Sequence, residues 1–224
     1  MPELPEVETV IKGISSSILG QTINKCELSL KKLRYPITRN FKKIILSTKV
    51  ISISRRAKYI LINLSNNKTI IIHLGMSGRI ILTSNNKNSK FKHTHMSLYF
   101  KNNLIAKFID PRRFGCILLF DTKAISKNRL FIHLGLEPLS KQFNPNYLER
   151  SCQNKKASIK SVIMNQSIVV GIGNIYASES LFRSGINPKR KAFNITYEQC
   201  VQLVKNIKFV LNRAIKLGGS SIND

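Results

Sequence analysis

The sequence predicts an α+β protein in which strands and helices are segregated along the chain. Three patterns carry that expectation. Residues 5–19 place Val7, Val10, Ile11, Ile14 and Ile18 at three- and four-residue spacings, the mark of an amphipathic helix. From about Thr22 to Asp121 the chain breaks into short runs rich in β-branched residues. After Asp121 those runs stop, and four later stretches have helical character.

Taken in order, the leading helix closes at Gly20 and would anchor the chain start to the body of the protein. Strands are expected at 44–53, 58–64, 68–74, 79–83, 94–101, 104–109 and 115–121. Polar breakers separate them, among them Ser65-Asn66-Asn67 and Asn102-Asn103, and this spacing points to an antiparallel sandwich or barrel. The polar segment 84–92 reads as a solvated loop. Helices are expected at 144–153, 158–168, 174–184 and 196–217, with Asn144 and Thr196 as caps. The division is an N-terminal domain 1–125, a linker 126–143 and a C-terminal domain 144–224. The chain ends on the polar stretch Gly218 to Asp224, just after a long helix.

Composition narrows the function classes. An apolar share of 42% is globular rather than disordered. No run of about 18 apolar residues could span a membrane. The N-terminus lacks a basic-then-apolar leader, so a cytoplasmic protein is expected. Lys plus Arg number 37 against 11 Asp plus Glu, a net charge of +26. Residues 1–140 carry 24 basic and 7 acidic residues, and 141–224 carry 13 and 4. Both halves are basic, which suits a polyanion lying across both, and nucleic acid is the leading partner. The four cysteines, Cys26, Cys116, Cys152 and Cys200, form no C-x-x-C pair and read as buried or incidental thiols.

Several clusters could carry chemistry. Removal of Met1 would leave Pro2 as a free secondary amine beside Glu3. An α-amine titrates well below a lysine side chain, so it is a nucleophile near neutral pH, and a neighbouring carboxyl could move protons. The alternative is a plain helix start, with Pro5 early and Glu6 and Glu8 in the first turn. Arg55-Arg56-Ala57-Lys58-Tyr59 offers a lysine for phosphate or proton transfer, or is a solvated cationic surface. Met76, between two glycines at a turn, is either an exposed apolar wedge for base steps or folded onto the core. Asp110 to Gly115 adds Arg112, Arg113 and Phe114 at a second turn, suited to the space an extruded base leaves. Gly171-Ile172-Gly173 feeds a helix whose free N–H groups could take a phosphate, but no strand precedes it, which argues against a nucleotide cofactor. Lys155, Lys156 and Lys160 lie just upstream as further phosphate contacts. Strand alternation would put His93 and His95 on one face, with no third ligand for a metal.

The joint order of PELPEVET, RRAKY, HLGMSG, DPRRFG, HLGLEPL (133–139) and VGIGNIYASESLF (170–182) closely resembles the bacterial formamidopyrimidine-DNA glycosylase family from Met1 to Asp224. The resemblance implies an N-terminal antiparallel β-sandwich with its helix, then an all-α helix–two-turns–helix domain. It implies base-excision repair of double-stranded DNA: excision of 8-oxoguanine and formamidopyrimidines, then strand cleavage at the abasic site by β,δ-elimination. Pro2 would attack the sugar and form the Schiff base, Glu3 would open the sugar ring, and Lys58 would donate a proton in β-elimination. Met76, Arg112 and Phe114 would fill the gap left by the flipped nucleotide. His93, Arg112, Lys155, Lys160 and Asn174 would bind DNA, and Glu6 would line the lesion pocket. A monomer associated with the nucleoid is expected, with no membrane partner.

The family pattern continues past the GGSSIND-like stretch with a lesion-capping loop and a four-cysteine zinc finger. The zinc finger is lacking here and none of the four cysteines replaces it, so no metal and no other cofactor is expected. The alternative function is a weakened or inactive DNA-binding remnant of the enzyme. A basic protein coating RNA would leave the N-terminal motif unexplained.

Overall fold

The computed structural model describes residues 2–84 and 91–219. Met1, most of the expected 84–92 loop and the last five residues of the chain lie outside the described residues. The chain divides into two units, Met1–Pro2 with Val7–Asn128 and Glu3–Glu6 with Arg129–Asp224.

The first unit is an antiparallel β-sandwich. Its strands are β1 (Ile23–Leu28), β2 (Val50–Arg56), β3 (Tyr59–Leu64), β4 (Lys68–His73), β5 (Arg79–Ser84), β6 (Thr94–Phe100), β7 (Leu104–Ile109) and β8 (Cys116–Asp121). One sheet runs β1-β6-β7-β5 and the other β2-β3-β4-β8. Alternation explains β3, where Ile60, Ile62 and Leu64 point inward. β4 lies between β3 and β8, and its Ile70, Ile71 and Ile72 are all buried. Asn67 and Asn103 take left-handed φ of 59° in the β3–β4 and β6–β7 turns, a conformation asparagine tolerates.

Helix α1 (Leu4–Ile18) supplies Val7, Ile11, Ile14 and Ile18 to the sandwich core. These are apolar positions of the kind its three- and four-residue spacing predicts. The expected strand at 44–53 is corrected: α2 (Phe41–Ile45) occupies its start, and the strand begins at Val50. Phe41 and Ile45, four residues apart, both bury on one face of that short helix, and this outweighs the β propensity of Ile44-Ile45.

The second unit is helical. It contains α3 (Pro145–Cys152), α4 (Ile159–Met164), α5 (Asn174–Arg183) and α6 (Tyr197–Lys216). The Asn144 side chain accepts from the Tyr147 N–H, with Pro145 at the first helical position. Thr196 and Gln199 close a full capping box on α6. The expected helix at 158–168 ends early at Met164, where Asn165 is extended and its side chain caps Ser167 instead. Cys152 and Cys200 are buried in one core with Leu203, Val204, Ile207 and Leu211.

Candidate functional site

Glu3 and the first residues of α1 belong to the second unit. Glu3 is only 3% exposed. Its carboxylate accepts from the Gly173 N–H at 2.6 Å and from the Ile175 N–H at 3.0 Å. The free N–H groups expected at the start of α5 therefore face a carboxylate of the same chain rather than a ligand phosphate, which corrects that reading. The Glu3 N–H in turn donates to Glu6 Oε2 at 2.8 Å, and the Leu4 N–H donates to the Gly171 carbonyl at 3.0 Å. The Tyr176 hydroxyl donates to Glu6 Oε1. Two carboxylates thus sit side by side, each held by α5 or its leading turn.

Gly173 is required by this contact. A Cβ there would lie 2.4 Å from Glu3 Cδ and 2.5 Å from Oε1. Asn174 is exposed at the head of α5, and Lys160 donates to Ser178 Oγ on that helix at 2.9 Å. Lys155 is exposed in the turn after α3.

In the first unit, Pro2 is half-buried. Lys58 sits at the two-residue turn between β2 and β3 and is 8% exposed. Across the β3–β4 ladder, Tyr59 packs on His73 with ring centroids 4.9 Å apart. Burial, then the Arg34 and Lys58 charges, push the His73 imidazole down to about 4. Its Nδ1 accepts from the Gly75 N–H, which puts the single proton on Nε2. The unfolded ring protonates near pH 6.5 and the folded ring near 4, so its contribution is complete above pH 6.5. Stability falls as pH drops through that window, by up to about 3 kcal/mol from this ring. Urea midpoints at pH 7 and 4.5 should show it, and His73→Gln should flatten part of that dependence.

The two turns read as wedges meet. Gly75 has φ 64°, and a Cβ on it would fall 2.5 Å from the Gly115 nitrogen. Asp110, fully buried, joins them: Oδ1 accepts from Ser77 Oγ at 2.6 Å and Oδ2 from the Gly115 N–H at 2.7 Å. Ser77 Oγ also accepts from the Arg112 N–H at 3.1 Å. Met76 and Phe114 remain 42% and 49% exposed, so Met76 does not fold onto the core. The Arg112 guanidinium lies 5.2 Å from the Phe114 ring centre. The sequence shows Asp110 only as the head of the DPRRFG turn, although an acid ending the apolar run Phe108-Ile109 is a signal for a buried acceptor. Asp110→Ala strands buried donors at about 1–3 kcal/mol each. Thermal melts should fall accordingly.

His93 and His95 do not share a face. His93 precedes β6 with φ 62° and is exposed, whereas His95 is buried, its Nε2 2.9 Å from the Asp110 carbonyl oxygen and its Nδ1 3.1 Å from Ser29 Oγ. Strand alternation does not reach back through a left-handed residue.

The four cysteines do not fit a zinc site. Cys26 and Cys116 lie in the first unit and Cys152 and Cys200 in the second, all buried and free. Burial holds the Cys26 and Cys116 thiols up to about 11. Among the described residues, no group of three or more His, Cys, Asp or Glu could hold a metal ion, and no helix is long and apolar enough to cross a membrane.

Known proteins share both units. Residues 1–117 match the family model for the formamidopyrimidine-DNA glycosylase N-terminal domain, and residues 134–224 match its H2TH domain. The formamidopyrimidine-DNA glycosylase of Proteus mirabilis is 44% identical over 224 residues, covering 100% of this chain and 80% of its own length. That of Wolbachia pipientis is 42% identical, with 82% of its length covered. The structure of wild-type Lactococcus lactis Fpg with N7-benzyl-Fapy-dG-containing DNA superposes with a TM-score of 0.92 at 30% identity, covering 100% of this chain and 82% of that one. The complex of the same protein with abasic-site DNA gives 0.91, covering 99% and 81%. With the sandwich, the H2TH helices and the Glu3-bound turn all present, the chain belongs to the formamidopyrimidine-DNA glycosylase family.

Proposed function

We propose that this chain excises oxidised purines, such as 8-oxoguanine and formamidopyrimidines, from double-stranded DNA and then nicks the strand at the abasic site. The observation that carries the proposal is the carboxylate of Glu3, the residue after Pro2, fixed by the Gly173 and Ile175 N–H groups. Proton transfer beside a nucleophile needs a carboxyl group at a defined place, and two backbone donors define it.

With Met1 removed, the Pro2 nitrogen attacks C1′ and passes its proton to the Glu3 carboxylate, while the C1′–base bond breaks and the departing base anion takes a proton from water. Glu3 protonates the ring oxygen, the sugar opens, and an iminium joins Pro2 to C1′. Water takes a C2′ proton, the C3′–O bond breaks, and Lys58 donates a proton to the departing 3′ phosphate. Water hydrolyses the iminium and restores the amine. Met76, Arg112 and Phe114 fill the gap in the duplex, which offsets unstacking of a few kcal/mol. His93, Lys155, Lys160 and Asn174 contact the DNA backbone, and Glu6 lines the lesion pocket. A charge of +26 makes binding steeply salt-dependent. We place the protein in the bacterial cytoplasm on nucleoid DNA, acting as a monomer.

The test is base release from a duplex carrying one 8-oxoguanine opposite cytosine, beside the same duplex carrying guanine. Release from the oxidised duplex alone is expected. Equal release from both, or none from either, contradicts the proposal.

A further inference from the structure

We infer that Arg55 and Glu8 are positioning residues that hold the Lys58 turn in its working conformation; this rests on the role proposed above for Lys58. The turn needs help to hold its shape. Ala57, at φ 53°, takes a left-handed conformation that an alanine disfavours, yet it is only 2% exposed. The Arg55 guanidinium spans the turn. Its Nη1 donates to the Ala57 carbonyl at 3.0 Å, the carbonyl of the peptide bond that leads into Lys58. Its Nε donates to Glu8 Oε2 at 2.8 Å.

Both partners are withdrawn from solvent, with side chains 11% and 29% exposed. Water competes less there than at a surface ion pair, and the rigid guanidinium fork loses little freedom in making both bonds. Glu8 lies in the second turn of α1, the helix that starts two residues after Pro2. One side chain therefore ties the lysine turn to the helix that follows the proposed nucleophile. In the sequence Arg55 stands in a cationic cluster that suggests a solvated or phosphate-facing surface. The structure commits these two donors to the protein itself.

The roles separate by substitution in the full chain. Arg55→Lys keeps the charge, but one ammonium cannot reproduce the fork at both acceptors. On abasic-site duplex, Arg55→Ala and Arg55→Lys should both slow nicking about 10- to 100-fold, the scale of a misplaced catalytic group. DNA affinity should stay within about two-fold, because both donors are committed to acceptors within the protein. Glu8→Gln keeps an acceptor without its charge and should fall between. Near-wild-type nicking by Arg55→Lys, or weakened binding with unchanged nicking in Arg55→Ala, would overturn the inference and make Arg55 a phosphate contact. A second measurement needs no activity: acylation of Lys58 by an amine-reactive reagent, mapped by mass spectrometry. Arg55→Ala should raise Lys58 labelling several-fold while exposed Lys12 and Lys101 stay unchanged. Unchanged Lys58 labelling overturns the brace. Wild-type protein that fails to nick overturns the proposed function instead, and the labelling still decides the brace.

Discussion

Glu3→Gln should lower base release and nicking by roughly 10²- to 10⁴-fold, the range general acid–base groups contribute. The fold should survive, because Glu3 is surrounded by backbone rather than by a core it fills. Its carboxylate meets two N–H donors, from Gly173 and Ile175. A glutamine can present one oxygen to one of them. Its amide nitrogen then faces the other donor, which strands a buried N–H at a cost of about 1–3 kcal/mol. The expected result is a well-folded protein with a lower melting temperature and almost no turnover. Single-turnover release of 8-oxoguanine, measured beside a thermal melt, reads both. Turnover within three-fold of wild type would remove Glu3 from the chemistry.

Gly173→Ala should be nearly as damaging, and for a reason that isolates geometry from charge. The backbone at Gly173 is extended, with φ −124°, so alanine meets no conformational objection there. The obstacle is the Glu3 carboxyl carbon, 2.4 Å from the new methyl group. Either the turn or the carboxylate must move by more than an ångström. Misplacement on that scale costs catalysis about 100-fold. Gly13→Ala is the control: it lies in α1 with nothing within 4 Å of its added Cβ, and alanine there should stabilise the helix by roughly 0.5–1 kcal/mol. If Gly173→Ala matched Gly13→Ala in activity, the fixed carboxylate would not be the feature that matters.

Much of the fold was legible because it rests on short-range periodicity. The spacing of Ile11, Ile14 and Ile18 marks α1, and the alternation of Ile60, Ile62 and Leu64 marks β3. Thr196 and Asn144 announce their helices by local capping chemistry. What stayed hidden depends on partners distant in sequence. The Phe41–Ile45 helix is chosen by burial of its two ends, which Ile44-Ile45-Leu46 read alone as strand cannot show. His93 and His95 looked equivalent until the left-handed His93 separated them.

The candidate site shows the same limit. Pro2, Glu3 and Lys58 were visible as residue types in suggestive places, and the glycine turn at 171–173 was visible as a helix start. That Glu3 itself occupies that helix start was not legible, since 170 residues separate the partners. Asp110, Tyr176, Ser77 and the Arg55–Glu8 pair were missed as organising groups for the same reason. Each is a polar side chain whose importance lies in what it bonds once buried.

The central claim is that the N-terminal proline amine forms a covalent bond with the damaged nucleotide. The direct measurement is borohydride reduction during reaction with 8-oxoguanine duplex, followed by proteolysis and mass mapping of the trapped adduct. The account predicts an adduct on the peptide that begins with Pro2, carried by its terminal nitrogen. An adduct on Lys58 or another lysine, or strand cleavage with no adduct at all, would contradict it.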